Sequence, residues 1–248
     1  MNTHPTVVRA PSMPDGTPEV PVCIVGGGSC GLSAAIALRQ AGIEALVLER
    51  DANPTGSTAL SSGFIPAAQT RLQRALGIED SYQRLIDDVM NKAHGQAPLH
   101  LVEAYVHAVT PAIDTLERLG LPFEIVDGFL YPGHSVRRMH TMPEKTGATF
   151  MTRLALLASD LGADVLGQAL VRQLWIASDG RVLGVGYQRP DGQMEHLACQ
   201  YLLLACNGFG GNTQMVRELL PEMTEAVFAG HQGNDGTAIS WGQQLGWR

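Results

Sequence analysis

Residues 20–50 read VPVCIVGGGSCGLSAAIALRQAGIEALVLER, and their order decides the fold. Val20–Val25 is a run of buried-strand residues. Cys30–Gln40 has helical composition, and Gly42 follows it as a helix-ending glycine. Glu44–Leu48 is a second apolar strand. Strand, turn, helix and strand in about thirty residues imply parallel strands joined by a right-handed crossover. The turn itself, Gly26-Gly27-Gly28-Ser29-Cys30-Gly31, fits G-x-G-x-x-G through Gly26, Gly28 and Gly31. The first glycine permits a tight exit from the strand, the second lets backbone approach a pyrophosphate, and the third packs the helix close to the strand. The N–H groups of the helix start then face the phosphates with a partial positive charge. Glu49 ends the second strand 18 residues beyond Gly31, where a carboxylate accepts hydrogen bonds from ribose hydroxyls. An acid there disfavours a 2′-phosphate, which argues against NADP. This unit alone leaves NAD and FAD open.

The chain around it has 248 residues, 45 % apolar and 17 % charged, a composition that builds a core and does not describe a disordered chain. Its 17 basic and 24 acidic side chains give a net charge of −7, which argues against a general grip on nucleic acid or an anionic membrane. Four cysteines, none spaced C-x-x-C, make neither a disulfide scaffold nor a redox pair. We read Cys23 as core and Cys30 as a small residue beside the pyrophosphate. No stretch reaches the ~20 apolar residues of a membrane span. Residues 1–19 lack the charged start and apolar run of a secretory signal. With Pro5, Pro11, Pro14 and Pro18 they read as a flexible leader, and the location expected is the cytoplasm. The histidines form no H-E-x-x-H, and His134 with His140 is no ligand pair, so no metal is expected. No G-x-S-x-G nucleophile elbow occurs either.

Beyond the first unit, Asn53–Gly63 reads as a loop rich in Ser, Thr and Gly. Tyr82, Leu85, Ile86, Val89 and Met90 share one helical face, and Leu99, Val102, Val106 and Val109 continue the pattern. Thr110-Pro111 predicts an N-cap with proline in the first turn, opening a new helix to Leu119. Phe150, Leu154, Leu157 and Leu161 mark a further helix ended by Gly162. The period then changes. Val165–Leu174, Val182–Tyr187 and Tyr201–Cys206 read as strands, with turns at Asp179-Gly180 and Asp191-Gly192. Asn212–Leu220 and Thr237–Leu245 read as short helices. The layout is one α/β domain over 20–248 with a helical excursion.

Several stretches carry a family resemblance. Gly56-Ser57-Thr58-Ala59-Leu60-Ser61-Ser62-Gly63 offers small hydroxyl residues and glycine after the ribose acid. Gly133–His140 bears arginines and histidines ahead of Thr146-Gly147 and a helix. Gly162 to Leu174 holds a strand containing Val171. Tyr201–Asn212 runs from an apolar strand into the turn Cys206-Asn207-Gly208-Phe209-Gly210-Gly211-Asn212. Gly233-Asn234-Asp235-Gly236-Thr237 opens a helix. In this order they resemble the FAD-binding half of the fumarate reductase/succinate dehydrogenase flavoproteins, a family that includes ketosteroid dehydrogenases and urocanate reductases.

The resemblance implies a Rossmann-like FAD-binding fold with a central parallel sheet and additional strands. It implies that Gly26, Gly28, Ser29, Cys30, Gly31, Glu49, Arg50, Ser57, Thr58, Ser62, Gly63, Val171, Cys206, Asn207, Gly208 and Asp235 bind the cofactor. Ser57 stands where covalent members carry a flavin-linked histidine, so FAD is expected to be non-covalent. Cys206 and Asn207 replace the usual Thr and Gly, and Asn tolerates the left-handed backbone expected there. Asn234 replaces a usual glycine beside Asp235. The implied activity is hydride transfer between flavin N5 and a carbon–carbon bond next to a carbonyl or carboxylate, with a small carboxylate or ketone as substrate. The family's substrate-clamping segment and last FAD-binding stretch have no counterpart here, so the chain reads as the N-terminal part of a larger flavoenzyme. No residue is identified as the proton donor, and no partner subunit is implied. The alternatives are a non-catalytic or truncated FAD-binding module and an NAD-dependent Rossmann dehydrogenase. Against the latter, the Ser57–Gly63 loop and the Asn207–Asn212 turn have no role in a simple NAD fold.

Overall fold

The computed structural model describes residues 5–246. In chain order the elements are β1 (Thr6–Arg9), β2 (Glu19–Val25), α1 (Ser29–Gln40), β3 (Ala45–Leu48), α2 (Gly56–Ala59), β4 (Ile65–Pro66), α3 (Arg71–Ala75), α4 (Tyr82–Lys92) and α5 (Leu99–Arg118), followed by β5 (Glu124–Ile125), β6 (Met139–Thr141), α6 (Gly147–Asp160), β7 (Asp164–Leu166), β8 (Leu170–Ile176), β9 (Val182–Gln188), β10 (Met194–Leu204), α7 (Thr213–Leu219) and α8 (Thr237–Leu245). The described residues fall into two compact units: the chain up to Leu60 together with Leu154 onward, and Ser61–Arg153. The helical excursion makes up most of the second unit.

The first unit is built on a seven-stranded sheet in the order β1-β8-β9-β10-β2-β3-β7. β10, β2, β3 and β7 run parallel, as the crossover reading requires. β9 lies antiparallel between β8 and β10, so an antiparallel extension flanks the parallel centre. Side chains of β2 alternate between two cores, as a strand covered on both faces must. Ile24 joins Ala35 of α1 and Val47 on one face. Cys23 and Val25 join Leu174, Val185 and the fully buried Trp241 of α8 on the other.

Two readings of this unit need correction. Thr6–Arg9, in the stretch read as a flexible leader, is an edge strand parallel to β8, with Val7 opposite Leu174. The prolines flank the short run TVVR and leave its ladder donors intact. Gln244 of α8 pins this strand, accepting from the Val7 N–H at 3.0 Å and donating to the Pro5 carbonyl at 3.1 Å. The predicted strand Val165–Leu174 is two strands, β7 and β8, on opposite sides of the sheet. Between them Gln168 has φ 54°, and its N–H donates to the Asp51 carbonyl at 2.9 Å.

In the second unit α4 and α5 pack through Leu85, Ile86, Val102 and Val106, beside the three-stranded sheet β4-β6-β5. The predicted break at Thr110-Pro111 is absent, and α5 runs through Pro111. Its apolar stripe Val102, Val106, Val109, Ile113 and Leu116 stays buried across the proline, and tertiary packing overrides the lost backbone bond. Thr110 instead donates its hydroxyl to the Ala68 carbonyl at 2.6 Å. Among the described residues no helix is long and apolar enough to cross a membrane.

Candidate functional site

The glycine turn lies between the end of β2 and the start of α1, and each glycine meets a different constraint. Gly26 has φ 105°, and a Cβ there would lie 2.6 Å from the Ala205 carbonyl oxygen. A Cβ on Gly31 would come within 1.9 Å of the Gly26 carbonyl oxygen, so the helix can approach the strand only with glycine. Gly28 differs: a Cβ there meets nothing within 4 Å. Gly28 is also the N-cap of α1, no side chain caps that helix, and no acidic residue occupies its first turn. The helix start therefore presents backbone donors and partial positive charge toward open space.

Glu49 closes the turn from the side. Only 5 % exposed, it accepts the Gly27 N–H at 2.6 Å through Oε2 and the Asp51 N–H at 2.9 Å through Oε1. Two donors fix the carboxylate, and each oxygen keeps a further lone pair for a ligand. A cleft opens here, beside the turn and the buried carboxylate. Its walls include Gly26, Gly28, Glu49, Val171, Cys206 and Asp235. Of the other expected residues, Arg50 and Asn207 also line it. Asn207 has φ 65°, the left-handed conformation expected of it. Burial pushes the Cys206 thiol up from its ordinary range and keeps it protonated.

The remaining expected residues lie elsewhere. Ser29 and Thr58 pair their hydroxyl oxygens at 3.0 Å. Cys30 is exposed on the first turn of α1, and Gly31 is spent on packing. Ser57 accepts the His231 N–H at 3.0 Å and the Asn234 side-chain amide at 2.8 Å, so its oxygen anchors the segment ahead of α8. Gly208 ties to the same segment, donating to Asn234 Oδ1 at 3.3 Å and accepting the Gly236 N–H at 3.0 Å. Ser62 and Gly63 belong to the second unit, where Gly63 has φ 65° and a Cβ would lie 3.0 Å from the Gly147 Cα.

Asp235 uses Oδ1 to accept the Thr237 N–H at 3.1 Å and hydroxyl at 2.7 Å, at the first residue of α8. Its Oδ2 faces Arg50 Nη1 at 3.4 Å. Arg50 also donates to the Gly233 carbonyl at 3.3 Å, and beside it Asp51 Oδ2 lies 3.0 Å from His231 Nε2. Asp51, Gly233 and His231 line the cleft, and the sequence reading assigned none of them a role. They sit on loops far apart in the chain, where no periodic pattern marks them.

Within the second unit the arginine- and histidine-bearing stretch 133–140 turns inward at Arg138–His140, while Arg137 stays exposed. Arg138, with no exposure, grips Asp80 through Nε and Nη2 at 2.9 Å each and reaches Asp88 with Nη1. His140 is equally buried. Its Nδ1 lies 2.9 Å from the Arg138 carbonyl and its Nε2 lies 2.8 Å from the Thr70 hydroxyl. The single proton of a neutral imidazole satisfies both contacts, and burial lowers the pKa of His140 accordingly.

The sequence model of one protein family, FAD binding domain, matches residues 21–248. Among characterised proteins the chain is 27 % identical over 227 residues to the NADH:fumarate oxidoreductase of Klebsiella pneumoniae (strain 342), covering 91 % of this chain and 24 % of that one. It is also 27 % identical over 223 residues to the urocanate reductase of Eggerthella lenta, covering 88 % of this chain and 37 % of that one. The crystal structure of a 3-ketosteroid-Δ4-(5α)-dehydrogenase from Rhodococcus jostii RHA1 superposes with a TM-score of 0.84 at 26 % identity, over 96 % of this chain and 57 % of that one. The chain spans well under half the length of the two reductases.

Proposed function

Since the chain belongs to the FAD binding domain family that its residues 21–248 match, we propose that it is the cofactor-holding part of an FAD-dependent oxidoreductase of fumarate reductase type. The substrate class we propose is a small molecule with a carbon–carbon bond next to a carbonyl or carboxylate, and the location is the cytoplasm. FAD, when bound, supplies the hydride chemistry, while the protein supplies binding, orientation and charge.

The residues fit this cofactor. The observation that carries the reading is the unfilled space at Gly28, in front of an uncapped helix start and beside a buried carboxylate. We assign the pyrophosphate to the backbone of Gly26–Gly31, where a side chain would intrude. We assign the ribose hydroxyls to Glu49, whose two oxygens are held in place by Gly27 and Asp51. Val171, Cys206, Asn207 and Asp235 line the same cleft and would bound the rest of the dinucleotide. The occupied hydroxyls of Ser29, Ser57 and Thr58 support a part in shaping the walls.

The purified chain should show flavin absorption, and heating should release FAD intact, which marks non-covalent attachment. A colourless chain that also fails to take up added FAD would refute the assignment. A second reading is an FAD-binding module without turnover of its own. The FAD-loaded chain mixed with a reduced viologen dye and fumarate separates the two. Dye oxidation that depends on fumarate supports the enzyme, and its absence supports the module.

A further inference from the structure

Two adjacent side chains cross the cleft. Arg50 and Asp51, just past β3, reach the segment His231–Gly236 that leads into α8. That segment is fixed from behind by Ser57, Gly208 and Asn212. The movable partner is therefore the long side chain of Arg50. Its stem lies flat on Gly233, where a Cβ would come within 2.9 Å of both Arg50 Cδ and Nη1. Its contacts with the Gly233 carbonyl (3.3 Å) and Asp235 Oδ2 (3.4 Å) are long and half-exposed, so they break at little cost.

We propose that the Arg50–Asp235 pair is a latch of the cofactor-free protein. Arg50 leaves Asp235 and transfers its guanidinium to the phosphates of the incoming dinucleotide. This rests on the FAD reading above. The exchange conserves charge pairing, because one cation moves from a carboxylate to a phosphate. Asp235 is not stranded when Arg50 leaves. Its Oδ1 keeps the Thr237 N–H and hydroxyl, and the charge of Arg172 of β8 is within electrostatic reach of it. Burial lowers the Arg172 pKa, the Asp235 charge raises it and the Arg50 charge lowers it, so all three groups share one neighbourhood. A latched protein binds its ligand more weakly by the fraction of molecules that are open.

Stopped-flow quenching of FAD fluorescence tests the exchange, with rates read for the 248-residue chain and two variants. Gly233→Ala pushes Arg50 off the wall without changing its charge. FAD should then associate about two- to fivefold faster at an unchanged dissociation rate, the range set by an exposed ion pair. Arg50→Gln removes both latch and phosphate partner, and it should raise the dissociation rate about tenfold. Opposite effects on affinity are the signature of the exchange. Unchanged or slower association in Gly233→Ala, or tighter binding in Arg50→Gln, overturns it. A Cβ at 233 would also meet His231 Nδ1 at 2.8 Å. If Gly233→Ala melts early, the pair Gly233→Ala/His231→Ala replaces it with the same expectation. A parent chain that does not quench FAD at all overturns the cofactor reading and the latch with it. Quenching with unaltered variant kinetics overturns the latch alone.

Discussion

Gly28 and Gly31 are three residues apart, and substitution should separate them completely. Gly28 has φ −69° and ψ −174°, which any residue adopts, and free space beyond it. Gly28→Val should therefore fold with the parent's melting temperature and bind no FAD, as thermal melting and fluorescence titration would show. Gly31→Ala forces a Cβ to within 1.9 Å of a carbonyl oxygen and should lower the melting temperature whether or not FAD is present. Glu49→Gln keeps the size, loses the charge and turns one of the two acceptors into an NH2 facing a backbone N–H. Titration should show FAD binding weakened by about 1.5–3 kcal/mol, the range for a hydrogen bond to a charged group. At this scale much was legible, because the chemistry dictates the spacing. The turn glycines, Glu49 and the left-handed Asn207 are local in sequence. The partnership of Arg50 with Asp235 joins positions 185 residues apart, which no spacing rule reaches. In the folded chain the Ser57 oxygen accepts from His231 and Asn234, and the Thr58 hydroxyl pairs with that of Ser29, contacts between positions far apart in the chain.

Among the elements, the short strand β6 carries the clearest dependence on acidity. His140 on β6 is buried as a neutral imidazole between Thr70 and the Arg138 carbonyl, and burial lowers its pKa from the ordinary value near 6.5. Above that value both folded and unfolded chains hold the imidazole neutral. As pH falls through it, the unfolded chain takes up a proton that the folded chain refuses, so stability is lost until the lower folded pKa is reached. His134, lowered chiefly by burial and then by Arg138, adds in the same direction. Melting temperature should thus fall as the pH drops below about 6.5, and His140→Gln should flatten that fall. Hydrophobic pattern located most elements, and Thr237–Leu245 was read to its ends. It missed the division of β7 from β8 because Val165, Leu166, Ala169, Leu170 and Val171 form one nearly unbroken apolar run. The turn at Gln168 is imposed by its bond to the Asp51 carbonyl, not by a turn residue. Pro111 misled in the opposite way, since a packed stripe on both sides holds α5 together through it.

For the whole molecule, a ligand that binds only the folded chain stabilises it by mass action. FAD at about a hundred times its dissociation constant should add ~2.7 kcal/mol and raise the melting temperature, and Gly28→Val should abolish that rise. The parallel centre of the sheet was legible from one strand–helix–strand unit, because crossover handedness leaves few alternatives. The edge strand β1 was not, because four residues among prolines acquire meaning only when β8 lies beside them.

The pairing of β2 with β10 has a consequence for how the chain is made. Residues 19–25 lead into the glycine turn and leave the ribosome well before their partner strand, 194–204. Closing so long a loop of chain is entropically costly and slow. The cleft wall at Cys206 and Asp235 comes later still. During synthesis the phosphate turn therefore exists first as bare sequence, and capture of the cofactor waits for the partner strand and the cleft wall.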